Sequence, residues 1–403
     1  MEIPEHGVFS AIGHAANSGR NSVLTAIRSR SLVPDCGGLI RTIALALPAS
    51  FFSADRPDNI VSPLVPIGNL LSALPCDVAT VILIDRISLE PAQNWLDRLE
   101  IRPGAVLVPI DGNTGVSHPW IQDMFHVRTN GEAASELVVT AANAVADALA
   151  DCLGLAATVI DVVLPGGNQL VGPDFRLVGH SSLQDDRGFG RSTSSDRSER
   201  WQQVQALDGR AVHSFGYRPE DLGNASAWSD SSMVKASAAA IPGEKMHQCG
   251  FHVDQFVSVT GLNRDGHPLL LVADPVAPGD CASRAAMELK RKLDASALSL
   301  ARQGFAILRN PIPILPAIDT NKCLPRLYNN VFLENVTRSG QKRPFVWIPH
   351  FGDTEMVEDF DKENRHIWES LGFHVIGVAG WSHLASRNGA LRCATKVINR
   401  DPV

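Results

Sequence analysis

One cysteine, one histidine and two aspartates stand in settings that a packed core would not choose for them. Cys393 lies where a polar, glycine-bearing turn, Arg387-Asn388-Gly389-Ala390-Leu391, meets a short run that ends at Val397 and reads as a strand. Glycine there lets backbone approach a ligand closely. His252 and Asp254 fall two apart in Phe251-His252-Val253-Asp254-Gln255-Phe256, a spacing that puts both on one face of an extended strand. Asp123 is wedged between Ile121 and Met124-Phe125, where a carboxylate is costly unless paired or well hydrogen-bonded.

Two carboxylates, a histidine and a thiol are together suited to holding a guanidinium and attacking its central carbon. A guanidinium is planar, permanently charged and presents paired N–H donors that match carboxylates. Asp123 and Asp254 would clamp it and fix its plane. The cation would then favour a neighbouring thiolate, and the thiolate is the nucleophile. Cys393 would form a tetrahedral adduct. His252 would give a proton to departing ammonia and then draw one from the water that cleaves the thiouronium. Blander readings stand beside this one. Asp123 could cap a helix, His252 could be a satisfied core histidine, and Trp120 could be a core aromatic. His247, Cys249, His252 and Asp254 are metal ligands by type, although no companion pair accompanies them.

The elements that must position these groups read as mixed α/β. Strands are expected at Leu39–Pro48, Val78–Ile84, Ala105–Ile110 and Val159–Leu164, and helices at Leu89–Glu100 and Leu137–Leu153. Several prolines mark a loop after the first strand. Val253–Thr260 and Pro268–Ala273 form a hairpin across residues 261–266, and Val331–Val336 pairs with Phe345–Pro349 in another. Helices at Ala282–Arg302 and Glu355–Leu371 are stopped by Gly304 and Gly372, and Phe373–Val378 is a strand. The hairpins argue against a purely parallel sheet. Residues 1–38 read as an N-terminal extension with one possible helix at Asn17–Arg30, and residues 39–403 as the catalytic region. Within it, 184–232 is a long polar insertion with a short helix near Trp201–Leu207; such a loop commonly serves as a lid.

Composition narrows the class. The 403 residues carry a net charge of −7 with no basic block, which argues against nucleic acid as a partner. No apolar run approaches the ~20 residues of a membrane span, and the N-terminus has no signal core. A soluble, cytoplasmic chain is the expectation. The seven cysteines are scattered singly, which favours reduced thiols, six of them in the core.

Five short motifs occur in a telling order: Trp-Ile-Gln-Asp at 120–123, Gly-Asn at 167–168, His-Val-Asp-Gln-Phe at 252–256, Asn-Asn at 329–330, and Cys393. Together they resemble the catalytic domain of protein-arginine deiminases and, more broadly, the guanidine-modifying superfamily of agmatine and arginine deiminases and amidinotransferases. The resemblance implies a five-bladed α/β propeller with its site on the axis. It implies Cys393 as nucleophile, His252 as general acid/base, Asp123 and Asp254 as clamps, and Trp120, Gly167 and Asn168 as substrate-binding residues. Asp174 and Asn330 read as structural supports. The implied reaction turns the guanidinium of an arginine residue or arginine-like compound into a ureido group plus ammonia, without a cofactor. Its partner is an arginine-containing peptide or a small guanidino compound. Free arginine, agmatine or methylarginine hydrolysis, amidino transfer and a catalytically dead binding module are the alternatives. Two positions depart from the animal enzymes: Pro119 replaces an arginine and Arg392 a histidine. Acidic residues that follow the first two motifs in the calcium-using enzymes are missing here, so no metal is expected.

Overall fold

A computed structural model describes residues 31–53, 62–99, 104–111, 115–129, 134–184, 194–223, 246–281, 283–317, 322–352 and 355–401. The helix expected over 17–30, and residues 185–193 and 224–232 of the polar insertion, lie outside these. The reading of that insertion as a lid therefore falls partly outside them too.

The first part of the chain forms β1 (Ser31–Leu32), β2 (Ile40–Leu47), α1 (Leu64–Ala73), β3 (Ala79–Asp85), α2 (Leu89–Arg98) and β4 (Ala105–Ile110). Next come β5 (His126–Thr129), β6 (Ala134–Val139), α3 (Ala144–Leu153), β7 (Ala156–Val159), β8 (Gln169–Val171), β9 (Phe175–Gly179), α4 (Ser194–Gln205) and β10 (Ala211–Phe215). The middle holds β11 (Val257–Arg264), β12 (His267–Val276), α5 (Arg284–Arg302), β13 (Ala306–Pro316) and β14 (Cys323–Pro325). The last part comprises β15 (Phe332–Leu333), β16 (Phe345–His350), α6 (Glu355–Ser370), β17 (His374–Ala379), α7 (Ser382–Ala385) and β18 (Lys396–Arg400).

These strands make five sheets built on one plan. An antiparallel pair needs only a short connection, whereas a parallel neighbour needs a crossover, here a helix. So β5 and β6 pair antiparallel, α3 crosses, and β7 lies parallel to β6. The same order holds for β8, β9, α4, β10 and for β11, β12, α5, β13. It recurs in β15, β16, α6, β17. In the fifth sheet the antiparallel partner of β2 is β18, from the far end of the chain, and β3 then β4 follow in parallel. Packing follows from pattern: the first half of α5 is mostly exposed, while its small and apolar run Ala295–Ala301 is buried throughout. Trp347, Trp368 and Trp381 are among the largest fully buried side chains. Among the described residues no helix is long and apolar enough to cross a membrane.

The mixed α/β expectation stands, with local corrections. The run expected as one helix over Leu137–Leu153 divides into β6 and α3. Asn143 caps the helix by accepting from Ala146 N–H, and Gly154 ends it at φ 65°. The strand expected at Val159–Leu164 lies earlier, as β7. The proline loop after β2 contains α1, with Pro63 and Pro66 at its start, where a missing N–H costs nothing. The described part of the 1–38 segment belongs to the fold, because β1 pairs with β5 and Cys36 is buried. The cysteines also differ from expectation. Cys281 and Cys323 form a disulfide, Cys76 is exposed and Cys152 half-buried.

Candidate active site

Every sheet contributes to one cluster, from the turn that leads into β5, β8, β11, β15 or β18. The turn Ile121–Asp123 precedes β5, Gly166–Asn168 precedes β8, and Val253–Gln255 precedes β11. Asn330 lies just before β15, and Cys393 just before β18. His252 and Asp254 thus belong to a tight turn and not to a strand, which corrects the alternation argument. Both are nonetheless turned towards the site.

Gly167 is the point on which the groups converge. A methyl carbon at its α-carbon would lie 2.7 Å from His252 Nδ1, 2.9 Å from Asp123 Oδ1 and 3.3 Å from Asp254 Oδ1. Its own N–H donates to Asp123 Oδ1 at 2.7 Å. Asp123 Oδ2 stands 3.6 Å from His252 Nδ1. Asp254 is wholly buried, and its Oδ1 has no hydrogen-bond partner among the described residues. A buried acceptor left open beside Gly167 is a place for a donor.

Cys393 closes the cluster. Its Sγ donates to Asp254 Oδ2 at 3.6 Å and accepts from Asn330 Nδ2 at 3.1 Å. Asn330 Oδ1 accepts from the Cys393 N–H at 3.0 Å, so one amide holds both ends of the cysteine. Gln122 N–H donates to the Cys393 carbonyl at 3.2 Å. Gln255 Nε2 donates to Asn388 O at 2.7 Å and ties the histidine turn to the cysteine turn. Burial pushes the Cys393 thiol well above its usual range, and Asp254 and Asp123 push it further. Among the charges acting on this thiol, the carboxylates outweigh the cations.

Asp254 is likewise raised by burial, with Arg392 the foremost opposing pull. Arg392 Nη1 donates to Asp254 Oδ2 at 2.7 Å, while Nε and Nη2 donate to Asp35 Oδ1 at 3.0 and 2.8 Å. Burial would lower the Arg392 pKa, but Asp35 and Asp254 keep it above its ordinary value. Neither Asp35 nor Arg392 is among the site residues expected from sequence. Arg392 could have been found by the rule that flagged Asp123, since it sits in the apolar run Ala390-Leu391-Arg392-Cys393-Ala394. Asp35, in Pro34-Asp35-Cys36-Gly37, carries no such signal.

The other expected residues occupy different places. Trp120 is half-buried, and its ring covers Gly389, where an added methyl carbon would come within 2.4 Å of it. Asn168 spends its side chain on protein partners. Its Oδ1 accepts from Gln248 Nε2 at 2.7 Å and Val253 N–H at 3.2 Å, and its Nδ2 donates to Ser182 Oγ at 2.8 Å. It braces the histidine turn. Phe251, 65% exposed, stacks on His252 with ring centroids 4.1 Å apart. His118 Nδ1 accepts from Trp120 N–H at 3.2 Å, and burial lowers its pKa against the pull of Asp123.

No family model and no curated protein matches this chain by sequence. Solved structures match by fold. The agmatine deiminase of C. jejuni is 16% identical, with 92% of this chain and 96% of that one covered at a TM-score of 0.58. The agmatine deiminase of Enterococcus faecalis is 13% identical, with 95% and 99% covered at a TM-score of 0.56. These likenesses extend along nearly the whole of both chains and establish a shared mixed α/β fold.

Proposed function

We propose that this chain is a guanidine iminohydrolase, a hydrolase that converts a guanidinium to a ureido group and ammonia through a thiouronium on Cys393. The carrying observation is the convergence of Asp123, His252 and Asp254 on Gly167, with the Cys393 thiol against Asp254. The shared fold with agmatine deiminases supports the reading, as does the five-motif order. We read the five sheets as blades of one propeller around this site.

A guanidinium held here would donate to Asp254 Oδ1 and Asp123. Its charge would offset the two carboxylates that, after burial, raise the Cys393 thiol pKa, and the thiol proton would pass to His252, which leaves the nucleophilic thiolate. Sulfur bonds to the guanidinium carbon, and the adduct collapses as one amino group takes a proton from His252 and leaves as ammonia. Water then gives a proton to His252 and its oxygen to the carbon. The carbon–sulfur bond breaks, which leaves a urea and the free thiol.

For substrate, the fold likenesses favour a small guanidino compound such as agmatine. A second reading, peptide-bound arginine, is favoured by Trp120-Ile121-Gln122-Asp123, which resembles the protein-arginine deiminases. The test is ureido and ammonia formation from agmatine, arginine and arginyl peptides, with a chelator present. Wild type is expected to turn over at least one of these with no metal added, and Cys393→Ala to release no ammonia. Release of ammonia by Cys393→Ala would overturn the covalent route. Transfer of the amidino group to an added amine, without ureido product, would replace hydrolysis by amidino transfer.

A further inference from the structure

We propose that Arg392, anchored by Asp35, is a positioning residue for the substrate cation: it takes Asp254 Oδ2 for itself and leaves Oδ1 as the one oxygen that Asp254 offers. This rests on the reading above that a guanidinium is held by Asp123 and Asp254. The geometry is specific. The Arg392 side chain is buried, and its three nitrogens are all engaged, Nη1 with Asp254, Nε and Nη2 with Asp35. Nη2 also donates to Gln169 O at 3.0 Å. Asp35 is itself fixed, because its Oδ2 accepts the Val171 N–H at 2.7 Å. Two backbone segments from different sheets therefore hold a guanidinium fork that cannot swing away. A planar fork keeps a fixed aim where a single ammonium would not.

Asp254 is faced by Arg392, His252, Asp123 and Cys393, and Lys396 acts on it from β18. Arg392 is the only one of these whose charge is permanent and positive. Burial favours the neutral carboxyl, which could not hold a cation. Arg392 thus does two things for Asp254: it favours the charged carboxylate against burial, and it leaves Oδ1 on the side of Gly167. Because one oxygen is already used, the substrate cation receives a single contact from Asp254. Asp123 must supply the second carboxylate.

Alkylation of Cys393 by two reagents tests this without relying on turnover. Chloroacetamidine is a cation that needs the carboxylates, while iodoacetamide is neutral. Both attack the same sulfur, so thiol ionisation cancels in the ratio of their rates. Wild type should favour the cation. In Arg392→Gln the ratio should fall on the acid side and recover as pH rises, its midpoint moved up by about one pH unit or more, a tenfold change. Arg392→Lys, which keeps charge and loses the fork, should recover part of the difference. Should Arg392→Gln fold poorly, Asp35→Asn/Arg392→Gln removes the carboxylate left without its partner and should show the same pH shift. A ratio that falls equally at every pH, or does not change, overturns the proposal. A wild-type ratio near one would instead remove the guanidinium reading on which it rests.

Discussion

At Gly167 the space of a single methyl group is shared by an imidazole and two carboxylates. Gly167→Ala should therefore leave a folded protein whose site is shut. We expect ammonia release to fall by about 100-fold or more, the scale of an ångström of misplacement in a catalytic group. Gly209→Ala, where an added methyl meets nothing within 4 Å, should be indistinguishable from wild type. Comparable loss in both variants would show that the close contacts at Gly167 are not special. Cys393 makes a second prediction. Its raised pKa means that the thiol form dominates at neutral pH in the protein alone, so slow labelling by iodoacetamide should quicken as pH rises, without a plateau below the ordinary thiol range. A plateau near neutrality would contradict the burial argument. Asp123 was readable from sequence because it interrupts an apolar run, Asp254 from its spacing to His252, and Cys393 from its place between a glycine-bearing turn and a strand. Asp35 was not, because its partner Arg392 lies 357 positions away and only the fold brings them together.

Elements were readable where one period dominated. β4 has the expected limits, and β2, β3, α2, α5 and α6 fall within a few residues of theirs, since long apolar or amphipathic runs outweigh local detail. Boundaries were lost where strand and helix adjoin with apolar residues on both sides, as at β6 and α3. The decisive feature there is Asn143, whose side chain does two jobs. Oδ1 caps α3 through Ala146 N–H at 2.8 Å, and Nδ2 donates to Met124 O at 3.2 Å, next to Asp123. Asn143→Ala should lower stability by about 1 kcal/mol, the usual worth of such a cap, read from urea unfolding. Asn143→Ser keeps a capping oxygen and loses the amide donor. It should hold most of the stability and still weaken amidine labelling of Cys393. Equal stability loss in both variants would show that the cap is not what Asn143 supplies. The turn placing His252 and Asp254 was read as strand because both conformations satisfy the same local pattern. Contacts from Asn168 and Gln255, made with other sheets, decide between them.

Over the whole molecule, the region behind the cysteine turn carries a cost. Lys396 opens β18 and is buried, and burial together with Arg392 lowers its pKa from 10.5 to about 8. The folded state thus binds the proton less tightly than the unfolded chain. Below about pH 8 both states are protonated and the penalty is complete; it is relieved as pH rises towards the unfolded value, so this residue makes stability climb with pH in that window. The full penalty corresponds to about 3 kcal/mol. Lys396→Met should stabilise the neutral-pH protein by up to about that amount and flatten the climb, as followed by unfolding at several pH values. An unchanged pH profile would place Lys396 in contact with water. The same strand has a bearing on timing. β18 supplies the missing neighbour of β2, so β2 keeps one open edge until residues 396–400 leave the ribosome. Open edges invite pairing with other chains. The proposed nucleophile sits three positions ahead of that strand and arrives with it. A growing chain therefore holds its carboxylates and histidine long before it holds Cys393, and the step that covers this edge is also the step that completes the cluster.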